Sequence, residues 1–238
     1  MKVTILTLFP EMFEGPFKYS IVKRAIEKKI ASLQIINIRN FGIGKHKIVD
    51  DRPYGGGAGM VLRVDVVEKA IDAAKCKNKC KEKIILLDPQ GKQLNQQIVR
   101  KLSKIDHLIL VCAHYEGIDE RVRKLVDEEI SIGDYILTGG ELPAMILTDA
   151  VIRLLPKALG KEESSQFESF EEIIVDGKKL RLLEYPQYTR PTEFKTLKVP
   201  KILQSGDHQE ILKWREKEAI KKTLKRRPDL FPRRHFID

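Results

Sequence analysis

What most constrains this chain is an alternation. Through its first two-thirds, apolar runs of strand length at 2–8, 33–38, 83–87, 108–112 and 129–132 take turns with helical patterns at 20–29, 64–74, 95–103 and 119–126. Neighbouring parallel strands need a crossover, most often a helix, so this order predicts an α/β domain with a mostly parallel sheet. After Gly160 the pattern breaks into the polar stretch "GKEESSQFESFEE" and then "IIVDGKKLRLL", where Asp176-Gly177 between two β-prone runs is a hairpin signal. Further on, "SGDHQEILKWREKEAIKKTLKRRP" predicts a helix with Asp207 as N-cap, Glu210 three residues later, and a stop at Pro228. The organisation is an α/β domain, a linker and a basic helical tail, without internal repeats.

A chain of 238 residues can bury a core without staples. With 42% hydrophobic and 33% charged residues it reads as a soluble globular protein. No apolar run approaches a membrane span, and "MKVTILTLFPEMF" lacks the small-residue cleavage site of a signal peptide, so the expected location is the cytoplasm. Three cysteines fit a reducing compartment. Cys76 and Cys80 flank "KNK" with no second Cys or His pair nearby in sequence, which argues for free thiols over a zinc site. Cys112 closes the run "LILVC" and is expected in the core.

The net charge is +10, and it is uneven: from Lys198 to Asp238 there are 12 basic and 6 acidic residues, so this last sixth contributes +6. Such asymmetry suits a polyanionic partner, nucleic acid first among them, although a solvated Lys/Glu surface gives the same balance.

Three of the expected strands end in loops of unusual composition: Asp88-Pro89-Gln90-Gly91-Lys92, Ala113-His114-Tyr115-Glu116-Gly117, and "SIGDYILTGGELP" from Ser131 to Pro143. In an open parallel sheet, ligands bind at the carboxyl ends of strands, and three such loops side by side make one pocket. Neither G-x-G-x-x-G nor G-x-x-x-x-G-K-[ST] occurs, and no Ser or Cys sits on a nucleophile elbow. What the loops offer is bare backbone, an aromatic (Tyr115 or Tyr135) and carboxylates (Glu116, Asp134, Glu141). That set suits a neutral or cationic nucleoside better than a triphosphate.

Two further features stand apart. In the apolar helix following Gly140, the only charges are Asp149 and Arg153, four residues apart; they either pair at its rim or Arg153 faces a site or a subunit interface. "DDRPYGGGAGM" puts four glycines within five positions beside Asp50 and Arg52, either as a flexible loop or as backbone closing over a substrate.

Taken in order, "DDRPYGGGAGM", "DPQGK", "YEGIDER", "SIGDYILTGGELPAM", "YPQYTRP", the "SGDH" segment and "RRPDL" resemble the bacterial tRNA (guanine-N1)-methyltransferases along nearly the whole chain. The resemblance implies an α/β SPOUT-type methyltransferase domain with a deep trefoil knot and a mostly parallel sheet, plus a small helical C-terminal domain. It divides the chain into a donor-binding domain at 1–160, a linker at 161–185 and a tRNA-binding domain at 186–238. The implied reaction moves a methyl group from S-adenosylmethionine to N1 of the guanosine 3′ of the anticodon, position 37 of tRNA. The implied partners are tRNA and a second copy of the chain in a homodimer with a composite active site, without membrane or DNA.

By the same resemblance the donor pocket comprises Pro89, Gln90, Ala113, Ile132, Gly133, Asp134, Tyr135, Ile136, Leu137, Gly139 and Gly140. Guanine N1 becomes nucleophilic as its proton leaves and charge builds on O6, so a carboxylate and a fixed cation are needed. Glu168 is the implied base, Arg153 the cation, and Glu116 the reader of the guanine edge. Asp50, Arg52, Tyr115, Lys221, Lys222, Lys225, Arg226 and Arg227 are the expected tRNA contacts. Family members are reported to need Mg2+, yet no carboxylate cluster here spells a metal cage, and no metal ligand is assigned.

The chain departs from the family at three places. Glu168 stands where an Asp usually precedes Ser-Phe, with Glu171 and Glu172 available as substitutes; Ala113 replaces a usual Gly; and extra residues occupy 173–181. Two other functions remain open at this level: a catalytically inactive RNA-binding SPOUT-like protein, and a related RNA methyltransferase with a different target.

Overall fold

Five strands of the computed structural model lie side by side in the order β2 (Ser32–Asn37), β1 (Lys2–Thr7), β6 (His107–Cys112), β5 (Glu82–Gln93) and β7 (Glu128–Ser131), and every neighbouring pair is parallel. The structure describes residues 1–159, 168–175 and 178–231, with the backbone alone at 175 and 178. These fall into two compact units, Met1–Gly160 and Lys161–Asp238.

In the first unit the sheet is covered on both faces. On one side Val3, Ile5, Ile85, Leu108 and Leu110 pack against α1 (Ser20–Glu27), α3 (Gln96–Leu102) and α4 (Glu141–Ile152). On the other, Leu6, Ile84, Leu86, Ile109 and Val111 meet α2 (Val64–Ala74) through Val66, Val67, Ala70 and Ile71. β6, at the centre, is buried at every position, which is why "LILVC" shows no polar alternation. Each such aliphatic side chain stabilises the fold by about 1.5–3 kcal/mol relative to exposure. Asn95 caps α3, its side chain accepting hydrogen bonds from the amides of Gln97 and Ile98 at 3.1 Å.

The expected strands and helices of this unit are present, with two local differences. β5 does not stop at Leu87: it continues through Asp88-Pro89-Gln90-Gly91, which bulge out so that Leu87 and Lys92 both align with Ile130 of β7. The helix expected at 119–126 is a 3-10 segment, Glu120–Lys124, because Asp119 accepts from the Arg121 amide at 2.9 Å and closes a tight local turn. A short antiparallel pair, β3 (Asp50–Asp51) and β4 (Val61–Leu62), brackets the glycine-rich loop. Cys112 is fully buried, as expected, whereas Cys76 and Cys80 are not free: they form a disulfide.

The second unit is not simply helical. Its long helix, α5 (His208–Arg226), begins as the sequence predicts, with Asp207 accepting from the amides of Gln209 and Glu210 at 3.1 Å. Against it rests an antiparallel hairpin, β8 (Glu171–Val175) and β9 (Lys178–Leu182), built from the residues assigned to a linker. Asp176 and Gly177, the expected turn, lie outside the described residues. The strands form because alternate residues are apolar: Ile173, Leu180 and Leu182 pack on Ala219 and Ile220. Buried Thr223 adds a polar link, donating to the Ala219 carbonyl at 2.7 Å and accepting from the Leu183 amide at 2.8 Å. A second short pair, β10 (Glu193–Phe194) and β11 (Leu197–Lys198), completes the unit.

Candidate functional site

At the carboxyl end of the sheet, β6, β5 and β7 are adjacent, so the three loops that follow them meet. They enclose a cavity of about 320 Å³. Of the residues expected to hold a donor, Pro89, Gln90, Ala113, Ile132, Gly133, Tyr135, Ile136, Leu137, Gly139 and Gly140 all line it. Asp134 does not; it lies between two lining residues with its side chain exposed. Tyr115 and Glu116 also reach the cavity.

Local geometry explains the bare backbone. The Gly140 amide donates to the Ala113 carbonyl at 2.8 Å, and a Cβ there would lie 2.7 Å from the Cys112 Cα, so no larger residue lets this loop approach β6. Ser131 pins the same loop from below, its hydroxyl donating to the Gly133 carbonyl at 3.1 Å and accepting from the Gly133 amide at 3.2 Å. Tyr135 folds back and donates to the Ile132 carbonyl at 3.3 Å. On the β5 side, Asp88 accepts from the Gln90 amide at 2.9 Å and faces Arg123 at 3.5 Å. Burial works against the Arg123 charge, but its bonds and proximity to Glu120, Asp88 and Glu129 outweigh that and hold its pKa above the usual value.

The electrostatics follow from the lining. Among the described residues around the cavity there is no Lys or Arg, while Asp88 and Glu116 supply carboxylates. Glu141, expected in the pocket, is instead buried beneath it at 2% exposure, accepting from the Thr7 hydroxyl at 2.8 Å. Burial, helped by the Glu141 carboxylate, pushes the Cys112 thiol well up, which leaves it inert. His114 also lines the cavity and was not singled out from sequence; its Nδ1 is buried without a hydrogen-bond partner, 3.8 Å from Glu141. Its signal in the sequence was its place in the loop that follows β6.

The glycine-rich loop comes over this region at one point. Gly59, at φ +80°, leaves no room for a Cβ beside the Glu116 side chain, and the Glu116 amide donates to the Met60 carbonyl at 3.1 Å. Tyr115 holds φ +62°, a left-handed conformation uncommon for its type. Arg52 lines a separate groove with Asp51, Arg63, Asp119 and Arg121, and Asp50 lies in β3 paired with Leu62. Neither Asp50 nor Arg52, expected as tRNA contacts, lines the cavity of the three loops.

Arg153 caps the far end of α4, ~20 Å along the helix from Gly140 at the cavity. The Glu168 segment belongs to the second unit, where its backbone is fixed by three contacts. The Glu168 carbonyl accepts from the Glu171 amide at 3.2 Å, Ser169 Oγ accepts from the Glu184 amide at 3.0 Å, and the Phe170 amide donates to Leu182 at 2.8 Å. Glu168 borders a cavity of about 190 Å³ between the hairpin and α5, with Tyr185 and Arg215. The basic cluster divides: Lys221 and Lys225 are exposed one turn apart and Arg226 is exposed, but Lys222 donates to the Glu184 carbonyl at 2.8 Å and Arg227 is held by Asp229 in two bonds at 2.9 and 2.8 Å.

Comparison with known proteins places the chain in a family. A family model described as "tRNA (Guanine-1)-methyltransferase TrmD" matches residues 1–233. Curated relatives, each named tRNA (guanine-N(1)-)-methyltransferase, include those of Carboxydothermus hydrogenoformans, 54% identical over 97% of this chain and 87% of the relative, and Syntrophomonas wolfei, 52% identical over 99% and 92%. The relative from Lacticaseibacillus paracasei is 49% identical over 97% of this chain and 87% of its own length. Matched from Met1 to beyond α5, and at about half identity to these relatives, the chain belongs to the tRNA (guanine-1)-methyltransferase family.

Proposed function

We propose that the protein methylates N1 of the guanosine at position 37 of tRNA, with S-adenosylmethionine as donor. The observation that carries this reading is the cavity at the carboxyl end of the sheet: walled by backbone, lined by no Lys or Arg among the described residues, and edged by Asp88 and Glu116. A cationic nucleoside fits that chemistry, since the open peptide groups of the three loops suit a purine and a ribose. When bound, the donor supplies a methyl group on a sulfonium that leaves as a neutral thioether.

The remaining work falls to side chains. Glu116, held under Gly59, presents a carboxylate to the guanine edge. Glu168 takes the N1 proton, and an arginine meets the charge that grows on O6. Arg153 stands at the wrong end of α4 to serve the cavity of its own chain, so it serves that of a second copy. The outer side of α4 supports this: Leu142 and Ile146, one turn apart, are 46% and 47% exposed, and Ile136 at the cavity rim is 81% exposed. A homodimer covers that apolar strip and builds each site from two chains. Mixing an Arg153→Ala chain with one whose own cavity is blocked, as by Gly140→Leu, then restores partial activity in verified heterodimers, because one site keeps an intact cavity and the arginine of the other chain.

The knotted path of the first unit, and its role as donor domain, belong to this proposal; the second unit grips tRNA through Lys221, Lys225 and Arg226. No helix among the described residues is long and apolar enough to cross a membrane, and a tRNA substrate assigns the protein to the cytoplasm. The direct test is methyl transfer to an unmodified tRNA transcript carrying G37, read by mass spectrometry of the digested RNA. The expected product is 1-methylguanosine at that position, lost when G37 is replaced by adenosine. No transfer, or transfer to another atom, overturns the assignment.

A further inference from the structure

At the amino end of the same sheet, away from the donor cavity, four potential metal-ligating side chains converge. Cys76 and Cys80 follow α2, Glu82 opens β5 and His107 opens β6; their ligand atoms all lie within 4.8 Å of one another. Cys76 Sγ is 3.4 Å from His107 Nδ1, and Glu82 Oε2 is 2.8 Å from the same nitrogen. We infer that the reduced chain binds one zinc(II) ion here, through the Cys76 and Cys80 thiolates, His107 Nδ1 and the Glu82 carboxylate.

The donor set and its spacing carry the inference. Tetrahedral zinc with Zn–S near 2.3 Å and Zn–N or Zn–O near 2.0–2.2 Å has ligand-to-ligand edges of roughly 3.3–3.8 Å. The Cys76–His107 separation already lies in that range; Glu82 has to move out from His107 by about half an ångström, and the two sulfurs have to part once their bond is reduced. Two thiolates with an imidazole and a carboxylate form a set that selects zinc over magnesium or calcium.

Around these four residues the chain is arranged as a metal site requires. His107 is 1% exposed, and its second nitrogen lies 2.8 Å from the hydroxyl of fully buried Thr4. With Nδ1 on the metal, Nε2 carries the proton and donates to Thr4, which fixes the tautomer and aims the ring. Glu82 is held by the Cys76 amide, which donates to Oε2 at 2.8 Å. The two connections are also tied to each other, since Lys81 accepts at its carbonyl from the amides of Asp106 and His107 at 3.0 and 3.1 Å. Two thiolates, a carboxylate and a dication leave the site one negative charge, and Lys77, Lys79 and Lys81 flank the cysteines in "KCKNKCKEK".

In this structure the two sulfurs are joined, so metal capture begins with reduction. A dithiol reductant gives two electrons and two protons to the S–S bond and itself becomes a disulfide; the two thiol protons then pass to solvent as zinc binds. The ion ties the end of α2 to the starts of β5 and β6, a structural role independent of methyl transfer.

Cobalt(II) titration of the reduced full-length protein under anaerobic conditions tests this, with zinc(II) as competitor. One cobalt per chain is expected, with sulfur-to-cobalt charge transfer and the strong visible bands of a tetrahedral site, both erased by one equivalent of zinc. Cys76→Ser and Cys80→Ser, checked for folding by circular dichroism, should each lower the charge-transfer intensity per bound cobalt to about half and weaken zinc binding by more than about 100-fold, and the double variant should lose the band. Thr4→Val, which removes only the support behind His107, should weaken it by roughly 10–100-fold. A reduced wild-type protein with no sulfur-to-cobalt band overturns the inference. So does equal binding by both serine variants, or by the protein with its disulfide intact.

Discussion

The two units differ in how they hold their functional groups. The first places helices on both faces of a five-stranded sheet and builds its cavity from backbone that the sheet makes rigid. The second rests one hairpin on one helix through Leu180, Leu182 and Ala219 and carries its candidate groups as side chains: Glu168 ahead of the hairpin, Lys221 and Lys225 along α5. Walls that must match a nucleoside need a deep core beneath them. A surface that meets a flexible polyanion works largely by charge and tolerates a small core.

The largest effect that sharpens this contrast is expected at Glu168. Glu168→Gln should slow single-turnover methylation by roughly 10²–10⁴-fold while leaving donor binding intact, because the lesion removes a proton acceptor and not a wall. Glu168→Asp should retain substantial activity. A wild-type single-turnover rate in Glu168→Gln would move the base to Glu171, Glu172 or water.

Core truncations compare the units directly. Leu110→Ala, at the centre of the sheet, should cost about 2–5 kcal/mol in urea unfolding and weaken donor binding as well. Leu182→Ala should loosen the hairpin from α5 and leave donor affinity, measured by calorimetry, at the wild-type value. If Leu182→Ala weakens donor binding as much as Leu110→Ala does, the contrast fails.

Gly140→Ala probes the wall itself. The new methyl meets the Cys112 backbone, and the expected cost is about 1–3 kcal/mol, read as weaker donor binding with tRNA affinity unchanged. The smallest effect belongs to the charged face: Lys221→Gln with Lys225→Gln should lower the slope of tRNA affinity against salt by about 1–2. Lys222→Gln and Arg227→Gln, already engaged with Glu184 and Asp229, should change it less. An unchanged slope in the first pair would leave α5 a merely solvated helix.

Much of this was legible early because it rests on local signals. The bounds of α2, the N-caps at Asn95 and Asp207, the paired strands either side of Asp176-Gly177 and the burial of Cys112 each follow from residues within a few positions of one another. The glycine loops pointed to a pocket because each directly follows a strand. Other features depend on partners distant in sequence. Cys76 and Cys80 showed no metal-ligating partner because His107 is 31 residues from Cys76 and 25 from Glu82; only the pairing of β5 with β6 joins them. Glu141 read as a pocket acid because nothing near it in sequence announces Thr7, 134 residues away.

The sequence by itself determined the strand and helix order, the bare backbone after β6 and β7, the uneven positive charge and the family, since periodicity, glycine and motif order are properties of the chain alone. Only the tertiary structure decided which loops share a cavity, that Arg153 lies at the far end of α4 from it, that Lys222 is engaged by the Glu184 carbonyl, and that four metal-ligating groups converge at the opposite end of the sheet. The reason is physical: each of these is a distance between segments, and those distances are set by strand order, register and helix length, which a linear pattern constrains but does not fix.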